Sequence, residues 1–201
     1  MNWTKVTRTA LALNTGHTPL STAAAHALVR PLARSQWSAD YYWGSIERAL
    51  AGWSKDYGLN LDPDFQRGRT WSPRQQAHYI ENALRGVIPP ETMVIQFNAP
   101  HWDDDGYLGE LPREVQIIDG LQRLTTVIEY LDGKVLPFGR SVQDFEGTPF
   151  DVRRRTGFRF RFAMHTFATK RELLQHYLDL NSGGTPHSAS EIERVQAMLT
   201  A

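Results

Sequence analysis

Apolar positions recur along this chain with two different periods, and the switches between them divide it into elements. Over residues 40–53, Tyr42, Ile46, Ala49, Leu50 and Trp53 fall on one face at helical spacing, which predicts a helix with a buried aromatic stripe. Leu59-Asn60-Leu61-Asp62 alternates and predicts a short strand that Pro63 ends. After a polar loop, Ser72-Pro73-Arg74-Gln75 starts a helix, with a Ser cap, a first-turn Pro and a Gln three positions after the cap. Ile80, Ala83 and Leu84 face inward, and Gly86 with Pro89-Pro90 stops it near Arg85.

The period of two returns over residues 92–97, and a continuous apolar run follows at 115–118; both read as strands. Leu121, Leu124, Val127, Ile128 and Leu131 restore the helical period. Residues 134–138 are expected as a short strand, and 141–155 as irregular chain with one helical turn. Phe158, Phe160 and Phe162 alternate with Arg159 and Arg161, which predicts a strand with one apolar face. Thr169 and Glu172 form a capping box before a helix carrying Leu173, Leu174, Tyr177 and Leu178. Residues 181–186 are expected as loop, and 188–199 as a closing helix with Ile192, Val195 and Leu199 inward. Strands and helices alternate without a regular βαβ rhythm, so the fold class is α+β with a small mixed sheet. Residues 1–38 read as an N-terminal arm, with a short helix from Ser21 to Leu32, and residues 39–201 as the main domain.

The strand–helix junction Asp119-Gly120-Leu121-Gln122-Arg123 carries the strongest chemical signal. A helix opened there leaves backbone N–H groups free for an anion, and Arg123 adds a fixed cationic fork. A second reading stands beside this one. Asp119 and Gln122 have capping-box spacing and need no ligand. That reading leaves Arg123 unexplained, because a cation in the first turn opposes the helix dipole. It also leaves Gly120 unexplained, since glycine is a poor helix former.

Composition narrows the chemistry further. The 201 residues carry zero formal net charge, so any DNA contact must come from a local patch. The absence of cysteine excludes disulfides and thiol catalysis and fits a cytoplasmic protein. The seven histidines make no metal-ligating pair on a helix. No apolar run approaches a membrane-spanning length, so no membrane partner is expected. Asp103, Asp104 and Asp105 read either as a metal loop or as a solvated acidic run. Arg153, Arg154 and Arg155, with Arg159 and Arg161, read either as a DNA-phosphate patch or as a solvated face.

Three segments together resemble one family. Pro63-Asp64-Phe65-Gln66-Arg67-Gly68, with Trp71 and the helix ending Leu84-Arg85-Gly86, is similar to its aromatic-Gln-Arg-Gly turn. Ile118 to Thr126 is similar to its D-G-Q-Q-R-L-T-T signature, with Leu121 standing where the family usually has Gln. Leu180-Asn181-Ser182-Gly183-Gly184-Thr185-Pro186, with Ser188 and Glu191, resembles its third motif. The family is the ParB-like domain at the N-terminus of GmrSD-type modification-dependent restriction enzymes, also met in phage proteins. The resemblance covers about residues 40–199.

It implies a ParB/sulfiredoxin-like fold that binds a nucleoside triphosphate (ATP, GTP or CTP) with Mg2+. In the family, nucleotide hydrolysis is linked to DNA cleavage. No His-Asn-His nuclease segment follows the third motif in this sequence, so a complete restriction enzyme is not expected, and a phage or bacterial source is. The implied roles follow. Arg123 and Arg67 neutralise phosphates, and the N–H groups at Gly120 and Leu121 cradle them. Asp119 holds Mg2+ or orients a nucleophile. Gln66 and Gln122 position substrate. Arg69, Asn181, Gly183 and Gly184 complete the nucleotide site. Asp62 or Asp64 could instead engage Arg67 in a loop ion pair. The expected activity is nucleotide hydrolysis coupled to DNA. A DNA kinase acting on a hydroxymethylated base and a non-catalytic nucleotide-gated DNA-binding module stand as alternatives.

Overall fold

A computed structural model describes residues 19–102, 104, 106–182 and 189–200. The chain divides at Pro31/Leu32 into two units. In the first, helix α1 spans Thr22–Val29 and buries no residue. Ser21 caps it by accepting the Ala24 N–H at 3.1 Å, and Arg30 ends it in the left-handed region.

The second unit is built on one five-stranded sheet. Its strands are β1 (Trp37–Tyr42), β2 (Leu59–Asn60), β3 (Val94–Asn98), β4 (Val115–Asp119) and β5 (Arg159–His165). The spatial order is β1-β5-β3-β4-β2. The β1/β5 and β3/β4 pairs are antiparallel, and the β3/β5 and β2/β4 pairs are parallel. Helices α2 (Ile46–Asp56), α3 (Pro73–Leu84), α4 (Leu121–Leu131), α5 (Lys170–Ser182) and α6 (Ala189–Thr200) complete it. With α1 there are six α-helices among the described residues, and the fold is α+β. Two cores lie on opposite faces of the sheet. Trp53, Ile80, Phe97, Ile117, Leu124 and Phe162 join one, which packs α2, α3 and α4. Phe65, Ile118, Leu173, Leu174, Tyr177 and Val195 join the other, under α5 and α6.

The capping boxes at Ser72/Gln75 and Thr169/Glu172 form as the sequence predicts. Three expectations are corrected. Residues 40–42 are strand, not helix, and the helix begins at Ile46. The aromatic residues misled the period: Tyr41 stacks on Phe162 across the strand pair, while Tyr42 points to solvent. Residues 134–138 form no strand. Pro137 cannot donate to a ladder, and the chain makes a 3-10 turn over Pro137–Gly139 instead. Asn181 and Ser182, expected as loop, are the last turn of α5.

A polar seam crosses the second core. The Nε2 atoms of His165 on β5 and His176 on α5 lie 2.9 and 3.1 Å from Gln96 Oε1 on β3. An amide oxygen only accepts, so both rings carry an Nε2 proton. Their residues are only 4% and 5% exposed. Burial, with the neighbouring His176 ring, depresses His165 from 6.5 to about 4; burial also lowers His176. The folded state therefore favours the neutral rings. Stability contributed this way is full above pH 6.5 and drains as pH falls toward about 4. Melting temperature should drop by several degrees between pH 7 and pH 4.5, and by less in His165→Asn, which cannot titrate. Equal drops in the two proteins would mean that His165 does not set the acid limit.

Candidate nucleotide site at the β4–α4 junction

The site begins with an irregularity in pairing. Gln96 opposes Asp119, yet Phe97 opposes Ile117, so Ile118 is an extra residue on β4. Such a bulge re-aims the side chain that follows it. Ile117 belongs to one core and Ile118 to the other, and Asp119 emerges beside Ile118 rather than with Ile117. Gly120 then turns the chain into α4 at φ 97° and ψ 8°.

Gly120 is the N-cap of α4, and no side chain caps the helix. This corrects the capping-box reading. Asp119 instead pairs with Arg123 one turn on, and Gln122 turns away to the preceding loop. The first N–H groups of α4 are left for a ligand, next to a guanidinium in the first turn. The side chains of Arg123 and Asp119 are 27% and 36% exposed, so the pair borders solvent rather than lying in the core.

A cleft of about 340 Å³ opens at this point. Its floor is Ile118 to Arg123, and its walls are Gln66, Arg67 and Trp71 on one side and Tyr177, Leu180 and Asn181 of α5 on the other. The structure thus brings Gln66, Arg67, Asp119, Gly120, Leu121, Gln122, Arg123 and Asn181 to one cavity. Its volume lies in the usual range for small-molecule sites. Arg67 makes no ion pair with Asp62 or Asp64; Asp64 takes Lys170 at 3.1 Å instead. No hydrogen bond to the Arg67 guanidinium occurs among the described residues. Arg67 and Arg123 against Asp119 leave the cleft with a net positive charge, the sign an anionic ligand needs.

The two glutamines are committed to main chain. Gln66 Nε2 donates to the Ile118 carbonyl at 3.0 Å, which fixes the loop against β4. Gln122 Nε2 donates to the Gly68 carbonyl at 2.9 Å, and its Oε1 accepts the Thr70 and Trp71 N–H groups at 3.0 and 3.1 Å. Gln122 therefore holds Trp71 at the cleft edge. Gln66 keeps its Oε1 for a ligand. Behind Trp71 lies the Tyr79 ring, 5.3 Å away between centroids. Burial raises the Tyr79 hydroxyl above its ordinary range, against the opposing pull of the Arg123 charge.

Other predicted residues stand apart from the cleft. Arg69 pairs with Glu129 of α4 at 2.8 Å and does not line it. Asn181, by contrast, lines the cleft, and its Nδ2 donates to the Tyr177 carbonyl at 2.7 Å. Gly183 and Gly184 lie outside the described residues, as do Asp103 and Asp105; Asp104 accepts the Gly106 N–H. The arginine group is largely engaged within the fold. Arg153 donates to the Leu131 carbonyl, Arg154 pairs with Glu146, and Arg155 donates to the Thr148 carbonyl. Arg159 and Arg161 share Asp40. Four cleft residues escaped the sequence reading as site residues: Trp71, Ile118, Tyr177 and Leu180. Tyr177 stands one helical turn before Asn181, and that spacing is the signal that could have found it.

Among the described residues, no helix is long and apolar enough to cross a membrane. No curated protein and no solved structure matches the chain. A family model described as the GmrSD restriction endonuclease N-terminal domain matches residues 50–164. That span is more than half of the chain and holds the aromatic-Gln-Arg-Gly turn, the bulged strand and the whole of α4. The chain therefore belongs to the family of GmrSD restriction endonuclease N-terminal domains, a family of DNA restriction.

Proposed function

We propose that this domain binds a nucleoside triphosphate in the β4–α4 cleft and hydrolyses it in a step coupled to DNA. The observation that carries the reading is the uncapped start of α4 with Arg123 in its first turn and Arg67 on the facing wall. A first-turn cation opposes the helix dipole, and an anion placed between the two removes that conflict. Trp71 and Tyr177 add aromatic surface at the cleft walls, suited to a nucleobase or ribose.

The donor set fits a magnesium-bound triphosphate. Mg2+ neutralises phosphate charge, and Asp119 is the cleft carboxylate available to it. No group of three metal-ligating side chains occurs among the described residues, so phosphate and water would supply most of the ligands. Gln66 lines the same space, and with its Nε2 held by the Ile118 carbonyl its Oε1 is suited to orient a water nucleophile. For DNA, Arg154 is paired with Glu146, whereas Arg153 and Arg155 donate to neutral carbonyls and Arg159 and Arg161 share the single carboxylate of Asp40, so this group of arginines keeps part of its positive charge. DNA binding through this face should accordingly weaken as salt is raised.

The test uses γ-labelled ATP, GTP and CTP with Mg2+, each with and without plain or hydroxymethylated DNA. Free labelled phosphate, stimulated by DNA and lost in Asp119→Ala, is the expected result. Label on DNA would replace hydrolysis by a kinase activity. Binding with no turnover would leave a nucleotide-gated module.

A further inference from the structure

The bulge that re-aims Asp119 also gives it a neighbour. Gln96 stands directly opposite Asp119 on β3, and directly opposed residues share one face with Cβ atoms about 4.5–5.5 Å apart. Gln96 Oε1 is saturated by the two histidines. The rings themselves are stacked into place: His165 lies parallel to Phe167 at 5.2 Å, and Phe167 meets His176 at 4.9 Å. A side-chain amide held by its oxygen has its two N–H groups fixed in direction. Those of Gln96 have no hydrogen-bond partner among the described residues.

Resting on the nucleotide reading above, we infer that Gln96 is a positioning residue of the cleft: when a phosphate draws Arg123 away, the Gln96 amide donates to Asp119 and holds its carboxylate in place. The argument is one of substitution. Asp119 is paired with Arg123 in the ligand-free cleft. A phosphate competes for the same guanidinium, and a carboxylate left without a donor would swing into solvent. A neutral donor fixed by two buried rings aims it without competing for the phosphate. His165 and His176 act only through Gln96.

The experiment follows the Gln96 side-chain amide by 1H–15N NMR in the full chain. In Arg123→Gln, without ligand, the amide protons should move downfield of their wild-type positions. In Arg123→Gln combined with Asp119→Asn that downfield move should be lost. In the wild type, Mg2+ with a non-hydrolysable ATP, GTP or CTP analogue should produce the same shift. Gln96→Leu should weaken Mg2+ affinity of the nucleotide-bound protein about tenfold while nucleotide affinity in the absence of Mg2+ changes less than threefold. An amide that stays still in Arg123→Gln overturns the inference. A response in Arg123→Gln with no nucleotide-dependent shift keeps the hydrogen bond and removes the nucleotide reading. Unchanged Mg2+ affinity in Gln96→Leu overturns the positioning role. The thermal melt and backbone 1H–15N spectrum of Gln96→Leu provide the folding control for that variant.

Discussion

Replacing Arg123 by alanine is expected to lower nucleotide affinity about 100-fold, while the melting temperature falls by only a few degrees. The first effect follows from charge-assisted hydrogen bonds, each worth about 1.5–3 kcal/mol, with every 1.4 kcal/mol a factor of ten. The second follows from exposure. The Asp119–Arg123 pair borders solvent, where such pairs contribute about 0–1 kcal/mol. Arg67→Ala is the cleaner companion. With no ion pair to Asp62 or Asp64, its loss should cost about tenfold in affinity and almost nothing in stability. Calorimetric titration of each variant, beside its thermal melt, checks both statements. Wild-type affinity in Arg123→Ala would put the phosphate somewhere other than the start of α4.

Gly120→Ala should destabilise the domain by about 2–4 kcal/mol and remove nucleotide binding with it. Two penalties add. At φ 97° an alanine is strained whatever the space around it. Its Cβ would also sit 2.5 Å from Ile95 Cδ1 and 3.3 Å from Ile95 Cα. The methyl could rotate away, but the Cα belongs to β3, which is paired on both sides and cannot retreat. The chain would relieve the clash by shifting the start of α4, and its N–H groups would lose their aim. A denaturation midpoint equal to wild type would show that the turn is softer than its geometry implies.

Much of this site was legible in the sequence because its residues are contiguous. Asp119 to Arg123 announce a strand, a turn and a helix in five letters, and the cleft is built around them. The roles within it were less legible, because they depend on direction. Gln66 and Gln122 read as ligand-binding groups, but their amides hold Ile118, Gly68, Thr70 and Trp71. The bulge at Ile118 could not be seen, since a register is a property of two strands and one of them lies twenty residues upstream. Gln96 was invisible for the same reason; its partners come from β5 and α5. The misread segment at 40–42 shows the opposite failure. Tyr41 and Tyr42 are adjacent, and either could be counted inward until the pairing with Phe162 decided between them.

The ion pair between Asp119 and Arg123 also acts as a filter on the ions that reach the cleft. A bare anion such as sulfate or inorganic phosphate must break the pair and leave a carboxylate beside it, so each gain on the arginine is offset by repulsion from the aspartate. A cation alone meets the mirror-image penalty from the guanidinium. Only a ligand that arrives with both signs in one body satisfies the two halves at once. Such a lock would keep its keyhole from filling with phosphate or magnesium alone.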